Sequence, residues 1–146
     1  MSRRPTIRDV AELATQREIR PTIRPAADRN LRKALDYIIR CWHATAEYTT
    51  ADAALAERSH REHVVPVCVL VERIIMQPAD AERLLNECVV IAHVTPQEHK
   101  RLAGFYRRDP EYQGPYPEML TAPIEQLVEL GQQRYIRRGL ALRELA

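Results

Sequence analysis

The sequence predicts a mostly α domain with a small two-stranded β element, an α+β fold. Two observations support this class. Apolar residues recur at spacings of three and four in several long segments, which is typical of amphipathic helices. Two short segments, near residues 62–65 and 89–94, instead carry the β-branched residues typical of strands. We therefore expect these two segments to form the β element.

Composition excludes several classes of protein. Hydrophobic residues make up 45% and charged residues 29% of the 146 positions, which argues against a disordered chain. No apolar run approaches the roughly 20 residues of a transmembrane helix, and no apolar signal core follows the N-terminus. We therefore expect a cytoplasmic protein without a membrane partner. Cys41, Cys68 and Cys88 form no C-x-x-C pair, which argues against a disulfide framework or a cysteine zinc site.

Positive charge is concentrated at the N-terminus. Residues 1–40 hold nine Arg and one Lys against five acids, a net charge of +5, whereas the whole chain has +2. We expect a basic arm with a short helix over residues 1–27 and a single mostly helical domain over residues 28–146. A basic arm suits nucleic acid or an acidic protein surface. An arginine-rich coding bias with solvated charges explains the same pattern equally well.

Capping and periodicity define the N-terminal elements. Residues 7–20 are predicted to form a helix with Thr6 as its N-cap, followed by a linker over residues 21–27 that contains two prolines. An apolar stripe at helical spacing then predicts a long helix over residues 28–46. The stripe comprises Leu31, Leu35, Ile38, Ile39 and Trp42.

Three shorter helices are predicted next. Thr50 can cap a helix over residues 51–58. Pro66 suits the first turn of a helix over residues 67–75, which has an apolar stripe and ends before a Gln-Pro pair. The third of these helices is predicted over residues 80–88.

The C-terminal half begins with the best strand in the sequence. Residues 89–94 form a short segment that is rich in β-branched residues and apolar on both faces. Residues 95–98, TPQE, match a capping box with proline at the first helical position, so a helix should follow to about residue 105. After a loop rich in Pro, Gly and Tyr, a final helix is predicted over residues 123–145, where Gly131 costs about 1 kcal/mol relative to Ala.

Two segments together resemble a known family. The sequence EHVVP at residues 62–66 is similar to the opening of the HNH nuclease motif, the ββα-metal fold. The sequence IAHVTPQEHKRL at residues 91–102 is similar to its closing part, in which a second strand enters a helix that bears a metal ligand. The resemblance covers about residues 59–103. It differs from the family pattern in a helical insertion, residues 67–88, between the two strands.

The resemblance implies a metal-dependent phosphodiester endonuclease. His63 would be the general base that takes a proton from water, and Glu62 and His99 would bind a divalent ion such as Mg, Mn or Zn. Glu62 and His63 can share one site only if the strand bends, because adjacent strand residues point to opposite faces. The nucleic-acid backbone would be held by arginines: Arg3, Arg4, Arg8, Arg61, Arg101, Arg107 and Arg108.

Other interpretations stay open. His63 can be a half-buried histidine bonded to a carbonyl, with Glu62 as a surface acid beside Arg58 or Arg61. His60 and His63 can form an HxxH metal pair on a helix. The chain can also be a non-enzymatic helical interaction protein, a phage or mobile-element type of inhibitor or regulator that binds a protein or nucleic acid and needs no cofactor. The sequence leaves the oligomeric state open, with a homodimer as one option.

Overall fold

The computed structural model describes residues 6–10, 12, 25–42, 44–108 and 115–145, and only the backbone of residues 25–28, 103–108 and 115–116. In chain order the elements are α1 (Pro25–Arg40), β1 (Ala46–Thr50), α2 (Ala51–Leu55), β2 (His60–His63), α3 (Val67–Met76), α4 (Ala81–Glu87), β3 (Ile91–Val94), α5 (Pro96–Arg108), α6 (Pro115–Thr121), α7 (Leu127–Arg137) and β4 (Leu142–Glu144). Short 3₁₀ helices precede α4 and α7, at Pro78–Asp80 and Ile124–Gln126. The α+β class is confirmed.

The described residues form two compact units. One is built from the described residues within 1–43 and 66–89, and the other from those within 44–65 and 90–146. The first unit is helical and contains α1, α3 and α4, with α1 packed on α3. Leu31, Leu35 and Ile39 are buried along one side of α1, as the helical spacing predicts. Arg32 of α1 forms an ion pair with Glu72 of α3.

The second unit is built on a four-stranded mixed sheet in the order β2-β3-β1-β4. β2 pairs antiparallel with β3, β1 pairs parallel with β3, and β4 pairs antiparallel with β1. The prediction of a two-stranded element is therefore wrong. The sequence of β1, AEYTT, is mostly polar and lies between two predicted helices, and β4 has only three residues and lies within the helix predicted over residues 123–145.

Two predicted helices are shorter than their apolar patterns indicated. α1 ends at Arg40, and the predicted helix over residues 123–145 ends with α7 at Arg137. Gly139 stops α7 because its φ of 70° lies in the left-handed region. The backbone N–H groups of Gly139 and Leu140 donate to the carbonyls of Ile136 and Tyr135, both at 3.0 Å, which is the Schellman arrangement.

Helix starts that carry a side-chain cap agree with the sequence, whereas α1 starts at Pro25, within the linker predicted over residues 21–27. The Thr50 side chain accepts a hydrogen bond from the Ala53 N–H, so the predicted cap of α2 is confirmed. Thr6 and Asp9 form the predicted cap of the first helical turn, at residues 7–10. The rest of the helix predicted over residues 7–20 lies outside the described residues except residue 12. None of the helices in the described ranges combines the length and the apolar content that a bilayer crossing requires.

One face of the sheet is covered by α5 and α7 and forms the core of the second unit. Its buried members are Val64, Val90, Ala92, Val94, Leu102, Tyr135 and Leu140. Ala92 and Val94 of β3 lie opposite Glu62 and His60 of β2, respectively. Residues directly opposite each other in an antiparallel pair share a face of the sheet. Glu62 and His60 are therefore on the face that carries the core.

Candidate metal centre

The side chains of this site come from β2 and from the first turn of α5, which contacts β2. Along β2, side chains alternate between faces, so His60 and Glu62 point the same way. The predicted capping box of α5 is complete. Oε1 of Glu98 accepts from the Thr95 N–H at 2.8 Å, and Oγ1 of Thr95 accepts from the Glu98 N–H at 3.1 Å. This cap fixes the first turn of α5, which carries His99.

Glu62 and His99, which the sequence assigned to one site, lie in direct contact. Nδ1 of His99 is 2.5 Å from Oε2 of Glu62. The ring of His60 stacks on that of His99, with centroids 3.8 Å apart and planes inclined by 29°. One candidate ligand atom from each of these three residues lies within 4.8 Å of the other two. We call His60, Glu62 and His99 the His-Glu-His cluster.

Solvent can reach the cluster. The His60 residue is exposed, the His99 side chain is 35% exposed, and the Glu62 side chain is 15% exposed. The carboxylate therefore lies at the inner end of the cluster and the imidazoles at the outer end. An ion entering from solvent would meet the two imidazoles first.

A buried arginine completes the surroundings of Glu62. Arg134 of α7 has a side chain only 3% exposed. Its terminal nitrogen donates to Oε1 of Glu62 at 3.3 Å and to the backbone carbonyl of His63 at 2.8 Å. One turn earlier in α7, Gly131 lies against the carbonyl of Val64, where a Cβ would be only 2.5 Å from the oxygen. The glycine lets α7 approach the end of β2 closely enough for Arg134 to reach Glu62.

His63 does not belong to the His-Glu-His cluster. It pairs with Ile91 in the regular register of β2 and β3, one position after Glu62, so its side chain points to the opposite face of the sheet. Its role as general base stays a prediction. The HxxH arrangement of His60 and His63 on a helix is wrong, because residues 60–63 form a strand in which positions three apart face opposite sides.

The described arginines among the predicted nucleic-acid contacts all bond to the protein itself. Arg8 donates to Glu12 at 2.9 Å, and Arg61 donates to the carbonyl of Ala44 at 2.7 Å. Arg101 donates to the carbonyl of Arg138, beside the C-terminus of α7. Arg3 and Arg4, and the side chains of Arg107 and Arg108, lie outside the described residues. Phosphate binding by these seven arginines stays a prediction.

Two members of the site were not assigned to it from the sequence, which paired His60 with His63 instead. His60 could have been found from its spacing, because positions 60 and 62 of a strand share one face. Arg134 belongs to none of the motifs described above. Its signal was that it lies seven positions after the buried Leu127, at core-facing helical spacing, where an arginine is seldom found without a partner.

Comparison of the chain with known protein families, curated proteins and solved structures returns no match.

Proposed function

We propose that the chain is a metal-dependent nuclease related to the ββα-metal type, or a degenerate relative of one that binds nucleic acid. The observation that carries this proposal is the contact between Glu62 and His99, with His60 beside them. β2 pairs antiparallel with β3, and α5 follows β3 directly, which is the order of elements in a ββα motif. In this proposal α3 and α4 are the helical insertion between the two strands.

The donor set suits a divalent transition metal. Two imidazole nitrogens and one carboxylate oxygen favour Zn²⁺ or Mn²⁺ over Mg²⁺, which prefers oxygen ligands. Three protein ligands would leave coordination positions for water and a phosphate oxygen. Metal bonds of about 2.0–2.2 Å hold two ligand atoms roughly 3 Å apart. Binding therefore requires Glu62 and His99 to exchange their 2.5 Å contact for bonds to the ion, which moves the two ligand atoms apart by roughly 0.5–1 Å.

In the proposed reaction the protein positions the ion and manages one proton. The ion, when bound, supplies positive charge beside the reacting phosphate and the leaving oxygen. Glu62 contributes the anionic ligand, and Arg134 holds that carboxylate from the inner side. His63, in the role that the resemblance implies, takes the proton of the attacking water. His63 follows Glu62 in β2 and faces the other side of the sheet, so its imidazole reaches this water only if the end of β2 bends.

The test is cleavage of plasmid DNA and of single-stranded RNA with Mn²⁺, Zn²⁺, Mg²⁺ or EDTA. We expect cleavage that needs a divalent ion and falls by about 100-fold or more in His99→Ala, by analogy with the loss of a positioned catalytic group. His93→Ala is the matched control, because His93 lies on the opposite face and bonds to Ser59 at 3.0 Å. A folded protein that neither binds a metal ion nor cleaves either substrate would contradict the proposal and favour the non-enzymatic interaction protein.

A further inference from the structure

The fixed charges of the candidate metal centre nearly cancel before any ion arrives. Glu62 carries one negative charge, and the guanidinium of Arg134 carries one positive charge against the same carboxylate. His60 and His99 would bind an ion as neutral imidazoles, which add no charge. Arg134 is 2% exposed as a residue, so water screens its charge weakly. These charges sum to zero, so a bound divalent ion would give the pocket a net charge of about +2.

A cationic pocket at the protein surface favours an anionic ligand on the ion. The carboxylate of Glu62 already accepts a hydrogen bond from Arg134, so a bound ion would share it with the guanidinium, and it would neutralise each of them incompletely. Buried like charges that are not neutralised are costly. The open side of the cluster, at the half-exposed His99 and the exposed His60, is where an additional anion can reach the ion. A phosphodiester supplies one negative charge and oxygen atoms that bind divalent metals.

We propose that Arg134 makes this centre take up its metal ion and a phosphodiester together, each raising the affinity for the other. The inference rests on the proposed function and deepens it, since it assigns Arg134 as a positioning residue that also sets the charge of the centre. Coupling between two ligands is reciprocal, so the factor by which phosphate strengthens metal binding equals the factor by which metal strengthens phosphate binding. The metal ion is then retained mainly when substrate is present.

The experiment measures Mn²⁺ binding by electron paramagnetic resonance, with and without dimethyl phosphate, at one pH and one ionic strength. Dimethyl phosphate is the probe because it is a singly charged phosphodiester. For the wild-type protein we expect the affinity for Mn²⁺ to rise by about 5-fold or more when dimethyl phosphate is present, the lower end of typical coupling. An affinity that is the same with and without dimethyl phosphate would overturn the inference.

Two substitutions separate the charge of Arg134 from its packing. Arg134→Lys keeps the positive charge, and we expect it to keep the coupling. Arg134→Met removes the charge and keeps much of the volume, so we expect Mn²⁺ alone to bind more tightly than to wild type and dimethyl phosphate to add little. Equal coupling in the wild type and in a folded Met variant would contradict the assignment. If the Met variant does not fold, Arg134→Gln, which also removes the charge, takes its place, and zero coupling in the wild type overturns the inference in either case.

The outcome also distinguishes this inference from the proposed function. If Mn²⁺ does not bind to the wild-type protein under either condition, the nuclease proposal fails and this inference fails with it. If Mn²⁺ binds and cleavage is metal-dependent, but dimethyl phosphate leaves the affinity unchanged, only the coupling through Arg134 is overturned.

Discussion

Gly131 of α7 lies against the backbone carbonyl of Val64, so closely that a Cβ on the glycine would be 2.5 Å from the oxygen. Contacts below 3.0 Å of this kind require one of the two groups to move. This oxygen belongs to Val64, just after β2. The N–H of Val64 donates to the carbonyl of Val90 at 2.9 Å, so this part of the backbone has little freedom to move. This approach aligns α7 with the end of β2 and brings Arg134 to Glu62.

We expect Gly131→Ala to destabilise the protein although alanine is the better helix former. The gain in helix propensity is about 1 kcal/mol, whereas overpacking of a tight contact costs typically 1–3 kcal/mol. Because the contact is with backbone, we expect a cost near the upper end of that range, a net loss of up to roughly 2 kcal/mol, and a fall in Tm measured by circular dichroism. Glu129→Ala, at an exposed position of the same helix, is the control. An unchanged or higher Tm for Gly131→Ala would mean that the close approach is not required.

The cap of α5 is expected to support the position of His99. The buried carboxylate of Glu98 accepts hydrogen bonds from the Thr95 N–H and, at 2.7 Å, from the Thr50 hydroxyl, which itself caps α2. Glu98→Ala leaves both donors without this acceptor, and we expect a loss of about 1–3 kcal/mol in the free energy of unfolding. Glu98→Gln keeps an acceptor oxygen and should lose less. Urea denaturation measures both, and equal losses would show that hydrogen bonding is not the cause.

The turn between α7 and β4 gives a separate test of the fold. Gly139 has a φ of 70° in the Schellman turn, where an L-residue with a Cβ costs roughly 1–2 kcal/mol. We expect Gly139→Ala to lower the free energy of unfolding by about that amount. Asparagine tolerates this conformation better, so Gly139→Asn should lie between alanine and wild type. Thermal unfolding checks the order, and the opposite order would argue against the turn.

The parts of the fold that could be predicted from sequence were those specified locally. Three such signals act within one or two helical turns and can be recognised without knowing which elements pack against them: Thr50, the TPQE segment and the apolar stripe of α1. β4 could not be found, because a three-residue strand is defined by its pairing with β1 and has no pattern of its own.

The site, like the fold, was predictable only where neighbouring residues in the sequence carry the signal. The contact of Glu62 with His99 followed from the resemblance, which covered both segments. Arg134 lies 72 positions from Glu62, and their contact depends on how α7 packs on the sheet. Long-range packing of this kind leaves only an indirect trace in the sequence, a charged residue at a core-facing position. The choice between His60 and His63 depended on knowing that residues 60–63 form a regular strand.

Metal binding by His60→Ala and by His63→Ala should differ, because the two histidines lie on opposite faces of β2. His60 belongs to the His-Glu-His cluster, and we expect its loss to weaken Mn²⁺ or Zn²⁺ binding by about 10–100-fold, the size of effect seen when metal sites lose supporting groups. The backbone carbonyl of His63 accepts a hydrogen bond from Arg134, which alanine retains, and its side chain is on the other face, so His63→Ala should bind metal as wild type does. Isothermal titration calorimetry measures both affinities.

Loss of cleavage with metal binding intact in His63→Ala would support its predicted role as proton acceptor, whereas unimpaired cleavage would assign that role to another group. Equal loss of metal affinity in both variants would contradict the arrangement of the two faces on which the cluster depends.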